Sequence, residues 1–166
     1  AQTPAPTSTP APSSSPAQKM TIVGTVSFQE DIPQIVTASD IDMWSIVGPC
    51  VIRLKDGRFR LYLQASDQSG TNIISLISSD GSQWDLESGM RIQHGGESDI
   101  DFEAGEPGVF LDPDGKYYMA YTGRQPISGT NQLLHKIVFA VSEDGLAWSK
   151  LDRYYADPKN RSEFAA

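Results

Sequence analysis

Two stretches of this chain are copies of one another, and that duplication limits the fold more than any single residue does. PCVIRLKDGRFRLYL, beginning at Pro49, aligns without a gap to PGVFLDPDGKYYMAY, beginning at Pro107, 58 residues later. Pro, Val, Asp and Gly coincide, while Arg/Lys, Phe/Tyr and Leu/Met match in kind. A second element follows each copy: SDGSQW, ending at Trp84, matches EDGLAW, ending at Trp148, at an offset of 64. The difference between the two offsets places a longer loop in the second copy, within QPISGTNQLLHK. Such self-similarity marks repeat architectures, in which each unit buries its apolar face against a neighbour.

Within each copy the local pattern is β. Phe59, Leu61 and Leu63 alternate with Arg58, Arg60 and Tyr62, and Tyr117, Met119 and Tyr121 repeat the same spacing. A period of two predicts half-buried strands. Thr21 to Phe28 reads as a further strand. Asp56-Gly57 and Asp114-Gly115 lie between apolar runs and predict tight hairpins. Ile137-Val138-Phe139 turns the stretch from Gln132 to Ala140 towards strand and away from helix. Each unit therefore reads as strand, Asp-Gly turn, aromatic strand, loop, third strand, second Asp-Gly turn, Trp and a short outer strand. A four-stranded unit of this size predicts an all-β, propeller-like fold, with the Trp filling the space between neighbouring units or, more simply, adding to sheet core.

Composition narrows the partners. With 13 basic and 21 acidic side chains the chain carries a formal charge of -8, which argues against nucleic acid or an anionic membrane surface as partner. No apolar run is long enough to span a bilayer. The single Cys50 has no partner for an internal disulfide, and no Cys/His spacing suits zinc. Residues 1–18 contain only Ala, Gln, Thr, Pro and Ser, and they read as a disordered extended spacer. Such a spacer suits a secreted chain held at a cell surface or off a second domain. The expected organisation is a spacer over 1–18, a partial propeller over 19–158 and a C-terminal tail over 159–166.

The motifs PCVIRLKDGRFRLYL, ISSDGSQW, PGVFLDPDGKYYMAYTG and FAVSEDGLAWSKL resemble the five-bladed β-propeller glycoside hydrolases, the arabinanase, xylosidase, levansucrase and invertase superfamily. The resemblance covers about residues 45 to 158. The Ser-x-Asp-Gly-x-x-Trp turn is also similar to the sialidase Asp box, though one residue shorter. The resemblance implies catalytic carboxylates near the propeller axis, one directly before the Pro that opens each innermost strand. Here the first copy has Gly48 before Pro49, and the second has Glu106 before Pro107. Asp157-Pro158 offers a third start, but KNRSEFAA after it lacks a strand pattern.

A closed propeller needs at least four blades of about 40–50 residues, and this chain holds about two to three. It is expected to be a fragment of a longer protein, to complete a ring with a second copy, or to close in a smaller way. Glycoside hydrolysis needs two carboxyl groups, about 5 Å apart for retention and roughly 6.5–9.5 Å for inversion. The resemblance implies Glu106 as the acid or the group that tunes it. Asp42, just before the first inner strand, is the local candidate for base, and Trp44 is expected either to stack on a sugar ring or to pack between blades. Asp99, Asp101 and Glu103 would share one face of an extended chain. Their repulsion makes calcium conceivable, but the spacing is no EF-hand and no cofactor is expected. His94 and His135 are isolated and read as surface residues. The expected activity is hydrolysis or binding of polysaccharide, with a non-catalytic sugar-binding or protein-interaction module as the alternative.

Overall fold

The computed structural model describes residues 36–155; the Thr21 to Phe28 strand, the spacer, Asp157-Pro158 and the tail lie outside them. After a 3-10 turn at Ala38–Ile41, the described chain forms two four-stranded antiparallel sheets. The first runs in order through β1 (Ser45–Arg53), β2 (Phe59–Asp67), β3 (Gly70–Ser78) and β4 (Asp85–Leu86). The second runs through β5 (Glu103–Leu111), β6 (Tyr117–Pro126), β7 (Leu133–Ser142) and β8 (Ser149–Tyr155). No helix among the described residues is long and apolar enough to cross a membrane.

The duplication seen in sequence is a duplication of hydrogen bonds. In the first hairpin, Gly57 N–H donates to Leu54 O at 3.0 Å, Leu54 N–H to Arg58 O at 2.8 Å, and Arg58 N–H to the Asp56 carboxylate at 3.1 Å. Gly115, Asp112 and Lys116 repeat these three bonds, each at 2.8 Å. The β2–β3 loop of two residues becomes six between β6 and β7, and each of those strands is one residue longer. That accounts for the six-residue difference in spacing.

The second turn is also the same device twice. Asp80 Oδ1 accepts the N–H groups of Ser82 and Gln83, Gly81 N–H donates to Ser78 Oγ, and the Trp84 indole donates to Gly81 O. Asp144, Ser142, Gly145 and Trp148 reproduce every one of these bonds. A carboxylate that accepts two backbone N–H groups is favoured in its charged form. These bonds hold Asp80 and Asp144 below the usual carboxylate range.

The copies differ in what the turn meets. Gly145 O accepts the buried Tyr62 hydroxyl at 2.9 Å, and Asp144 O accepts Arg60 Nη1 at 2.9 Å, so the second sheet is fastened to the first. A Cβ on Gly145 would stand 2.6 Å from Arg60 Nη1, whereas one on Gly81 would meet only Phe59, at 4.0 Å. Trp148 stands edge-on to Tyr62 with ring centroids 6.0 Å apart, filling the space between the sheets as its recurrence suggested. Around it, Tyr62, Ile73, Ile92, Val109, Met119, Tyr121 and Val138 form the core shared by both sheets. Trp84 instead joins Leu61, Leu63, Ile74 and Leu76 on the far face of the first sheet, with Val36, Ile41 and Met43.

Two sequence expectations need correction. β2 is not half-buried: Arg60, Leu61, Tyr62 and Leu63 are all buried, because a sheet between two apolar layers has no solvent face. Nor do Pro49 and Pro107 open their strands. Each is the fifth of nine residues, placed where the register shifts and no ladder N–H is needed.

Removing the Tyr62 hydroxyl takes away the interblade donor of Gly145 O, which keeps the Trp148 indole as its other donor. Tyr62→Phe is expected to lower stability by about 1 kcal/mol in urea unfolding. Asp144 has a depressed folded-state pKa, so its contribution is complete above its ordinary value near 3.8 and is lost as pH falls below it. Unfolding curves taken downwards from pH 4 are therefore expected to show a shallower loss of stability in Asp144→Ala than in the parent chain.

Candidate functional site

The inner strands carry matching irregularities. The ladder shifts between Val47 and Cys50 in β1 and between Gly105 and Gly108 in β5. Within these bulges Gly48 has φ +63° and Glu106 has φ +51°. Glycine takes a left-handed conformation freely, whereas a residue with a Cβ is held there at a cost of about 1–2 kcal/mol. Strain of this kind at a non-glycine residue is a mark of functional positions. The two bulges touch: a Cβ on Gly48 would lie 3.1 Å from Glu106 Cα. The first copy thus omits a side chain where the second copy's strained glutamate approaches its backbone.

The Glu106 side chain is about half exposed, and its Oε1 lies 3.4 Å from Arg124 Nη2. Arg124, near the end of β6 and only 12% exposed, also faces Glu103 Oε2 at 3.5 Å through Nη1. Its Nη2 donates to Gln64 Oε1 at 3.2 Å. Gln64 belongs to β2, so one guanidinium joins both sheets and two carboxylates. Glu103 is the carboxylate that shares a partner with Glu106. A carboxylate pair steered by a guanidinium can accept hydrogen bonds from the hydroxyl groups of a ligand.

Asp42 and Trp44 stand elsewhere. Asp42 ends the 3-10 turn in a left-handed conformation and lines an open cleft of about 530 Å³ with Asp40, Gln83, Trp84 and Leu86. Glu106 does not line that cleft. Trp44 donates its backbone N–H to Ser66 O at 2.9 Å, and its side chain is 73% exposed. Packing among the described residues therefore does not explain this tryptophan.

The acidic run before Glu106 is not extended, so its carboxylates do not share one face. Asp99 turns back to accept Gly96 N–H at 2.7 Å, and Glu103 faces Arg124. Asp101 is buried, accepting the Tyr121 hydroxyl at 2.7 Å and facing Lys150 Nζ at 2.6 Å. Burial, and then the bond to Asp101, pushes the Tyr121 phenol upwards. No group of three potential metal-ligating side chains occurs among the described residues. Beside Lys150 an open cleft of about 650 Å³ is lined by Arg91, His94 and Trp148. Arg91 is buried there, donating to the carbonyls of Ser88 and Gly89.

Sequence reasoning singles out Glu106 because the repeat marks its position. It does not single out Gln64, a polar residue interrupting an apolar strand, or Arg124, which sits among Thr122, Gly123 and Gln125.

Solved structures share the fold of the two sheets. A family 117 glycoside hydrolase, Zg3597, from the marine bacterium Zobellia galactanivorans aligns with TM-score 0.56 and 18% identity, over 64% of this chain and 37% of that one. A structure reported for the GH130 family of mannoside phosphorylases aligns with TM-score 0.53 and 19% identity, over 64% and 31%. That family is described as containing glycoside hydrolases that target β-1,2 mannosidic linkages in Candida mannan. A glycosyl hydrolase from Bacteroides ovatus aligns with TM-score 0.52 and 19% identity, over 63% and 30%. The fold is that of a partial five-bladed β-propeller. The two sheets are its blades, and the chain spans about a third of the length of these structures. No family model and no curated protein matches the sequence.

The buried Asp101 ties the interblade segment to the second blade. Lys150→Met leaves this carboxylate without its counter-ion and is expected to cost about 3 kcal/mol in chemical denaturation. Adding Asp101→Asn to that variant removes the uncompensated charge and should recover part of the loss.

Proposed function

We propose that this chain belongs to a glycoside-hydrolase-like propeller protein that binds and cleaves polysaccharide, with Glu106 as the carboxylate that meets the sugar. The observation that carries this reading is Glu106 itself, a strained and half-exposed residue on an innermost strand, paired with a guanidinium that reaches across two blades. Glu103 supplies the second carboxylate on the same guanidinium. Trp44, exposed at the start of the first inner strand, offers an apolar ring face for a sugar. Asp42 lies on the cleft beside Trp84, and its proposed part is contact with a longer chain of sugars outside the reacting bond. The Pro, Ser and Thr spacer supports an extracellular or surface-tethered setting.

The alternative is a binding module without turnover. Gly48 favours it, because the matching position in the first blade carries no carboxylate and is filled by the approach of Glu106.

The test is turnover of aryl-glycosides, together with binding of neutral oligosaccharides by calorimetry. Glu106→Gln keeps the shape and removes the charge. It is expected to lower turnover at least a hundredfold, the lower end for loss of an acid or base group, with thermal stability unchanged. Binding without turnover in the parent chain selects the module. Neither binding nor turnover would overturn both readings.

A further inference from the structure

We infer that Gln64 is a positioning residue, supplied by the first blade to hold Arg124 of the second blade against Glu106; its relevance to sugar rests on the function proposed above. Gln64 lies in β2 between Leu63 and Ala65, which are anchored in the far-face core, so its backbone is fixed by the packing of the first blade. Its amide oxygen reaches Arg124 Nη2 at 3.2 Å. The path exists because residue 105 has no side chain. A Cβ on Gly105 would stand 1.9 Å from Gln64 Oε1 and 3.2 Å from Arg124 Nη1.

The other polar partners of the Arg124 guanidinium among the described residues are the two carboxylates, at the longer distances of 3.4 and 3.5 Å. Those contacts pull one guanidinium towards two anions and leave its rotation between them undetermined. A neutral acceptor on Nη2, the nitrogen that also faces Glu106, fixes that end of the guanidinium without cancelling the charge. The amide of Gln64 meets that requirement, since its carbonyl accepts while its NH2 group stays free of the guanidinium. The site in the second blade is thereby completed by the first. The matching contact between Gly48 and Glu106 aligns the strand from the same direction.

The test uses the full chain with isotope-labelled arginine. In the parent protein the Arg124 Nη–H groups are expected to give resolved, slowly rotating NMR signals. Gln64→Met keeps the volume and removes the acceptor, so these signals should average while the β2 amide shifts stay in place. Gly105→Ala blocks the same path and should give the same averaging. Gln64→Glu retains an acceptor and should keep the signals resolved. Should Gly105→Ala not fold, the two Gln64 variants still decide. Resolved Arg124 signals in Gln64→Met would overturn the proposal.

Affinity for β-1,2-mannobiose and cellobiose separates this from the functional reading. Gln64→Met is expected to weaken binding about tenfold, as for loss of one hydrogen bond to a charged group. Averaged Arg124 signals with sugar binding untouched in both Gln64→Met and Glu106→Gln would leave the positioning role intact and move the sugar site elsewhere.

Discussion

The structure depends on two carbonyl groups. Asp144 O and Gly145 O lie in a tight turn, where carbonyls usually face water, yet here they accept Arg60 and Tyr62 from the neighbouring blade. The turn can serve as a rigid fastening because its own donors are already satisfied by the Asp144 carboxylate and the Ser142 hydroxyl. Burial pushes the Tyr62 phenol up to about 12 and keeps it a hydrogen-bond donor at ordinary pH. On the same strand, Arg60 Nη2 donates to Glu87 Oε1 at 2.9 Å, and Glu87 Oε2 accepts Ser75 Oγ at 2.7 Å. A buried polar layer of this kind favours one arrangement of the two sheets, since a slip would take the carbonyl acceptors away from Arg60 Nη1 and the Tyr62 hydroxyl.

From that fastening the inner strands acquire their approach. Once Tyr62 and Trp148 set the spacing, β1 and β5 run close enough for Val109 N–H to donate to Cys50 Sγ at 3.2 Å. The two bulges then meet, and the difference between glycine and glutamate at equivalent positions follows. A Cβ on Gly48 would crowd Glu106 Cα at 3.1 Å, so a side chain there would need the neighbouring strand to shift. Glu106 takes the space, and Arg124 and Glu103 gather around it. Duplicated blades thus produce an unduplicated corner.

What the sequence made legible was local. Asp-Gly hairpins, the Ser-x-Asp-Gly-x-x-Trp turns and the longer second loop are set by residues within a few positions of one another, and all were readable. The preference of Ile137-Val138-Phe139 for strand was readable for the same reason. Burial of β2 on both faces was hidden, because Arg60 reads as a solvent-facing charge until its partner Glu87 is brought beneath it. Bulges at Pro49 and Pro107 were hidden because a proline marks a missing donor without saying whether the strand begins or bends there. The place of Asp42 in the chain suggests a partner for Glu106, but the fold puts Asp42 on a cleft that Glu106 does not line. The contact between Gln64 and Arg124 spans 60 residues and leaves no pattern in sequence.

Native-state hydrogen exchange on the intact chain tests most directly whether the first blade holds the second. If the fastening governs the structure, the central amides of β2 and β6, such as Leu63 and Met119, open together with one free energy and one dependence on denaturant. If β6 and β7 exchange through a separate, easier opening while β2 and β3 stay protected, the blades are independent sheets, and the account of a shared site is contradicted.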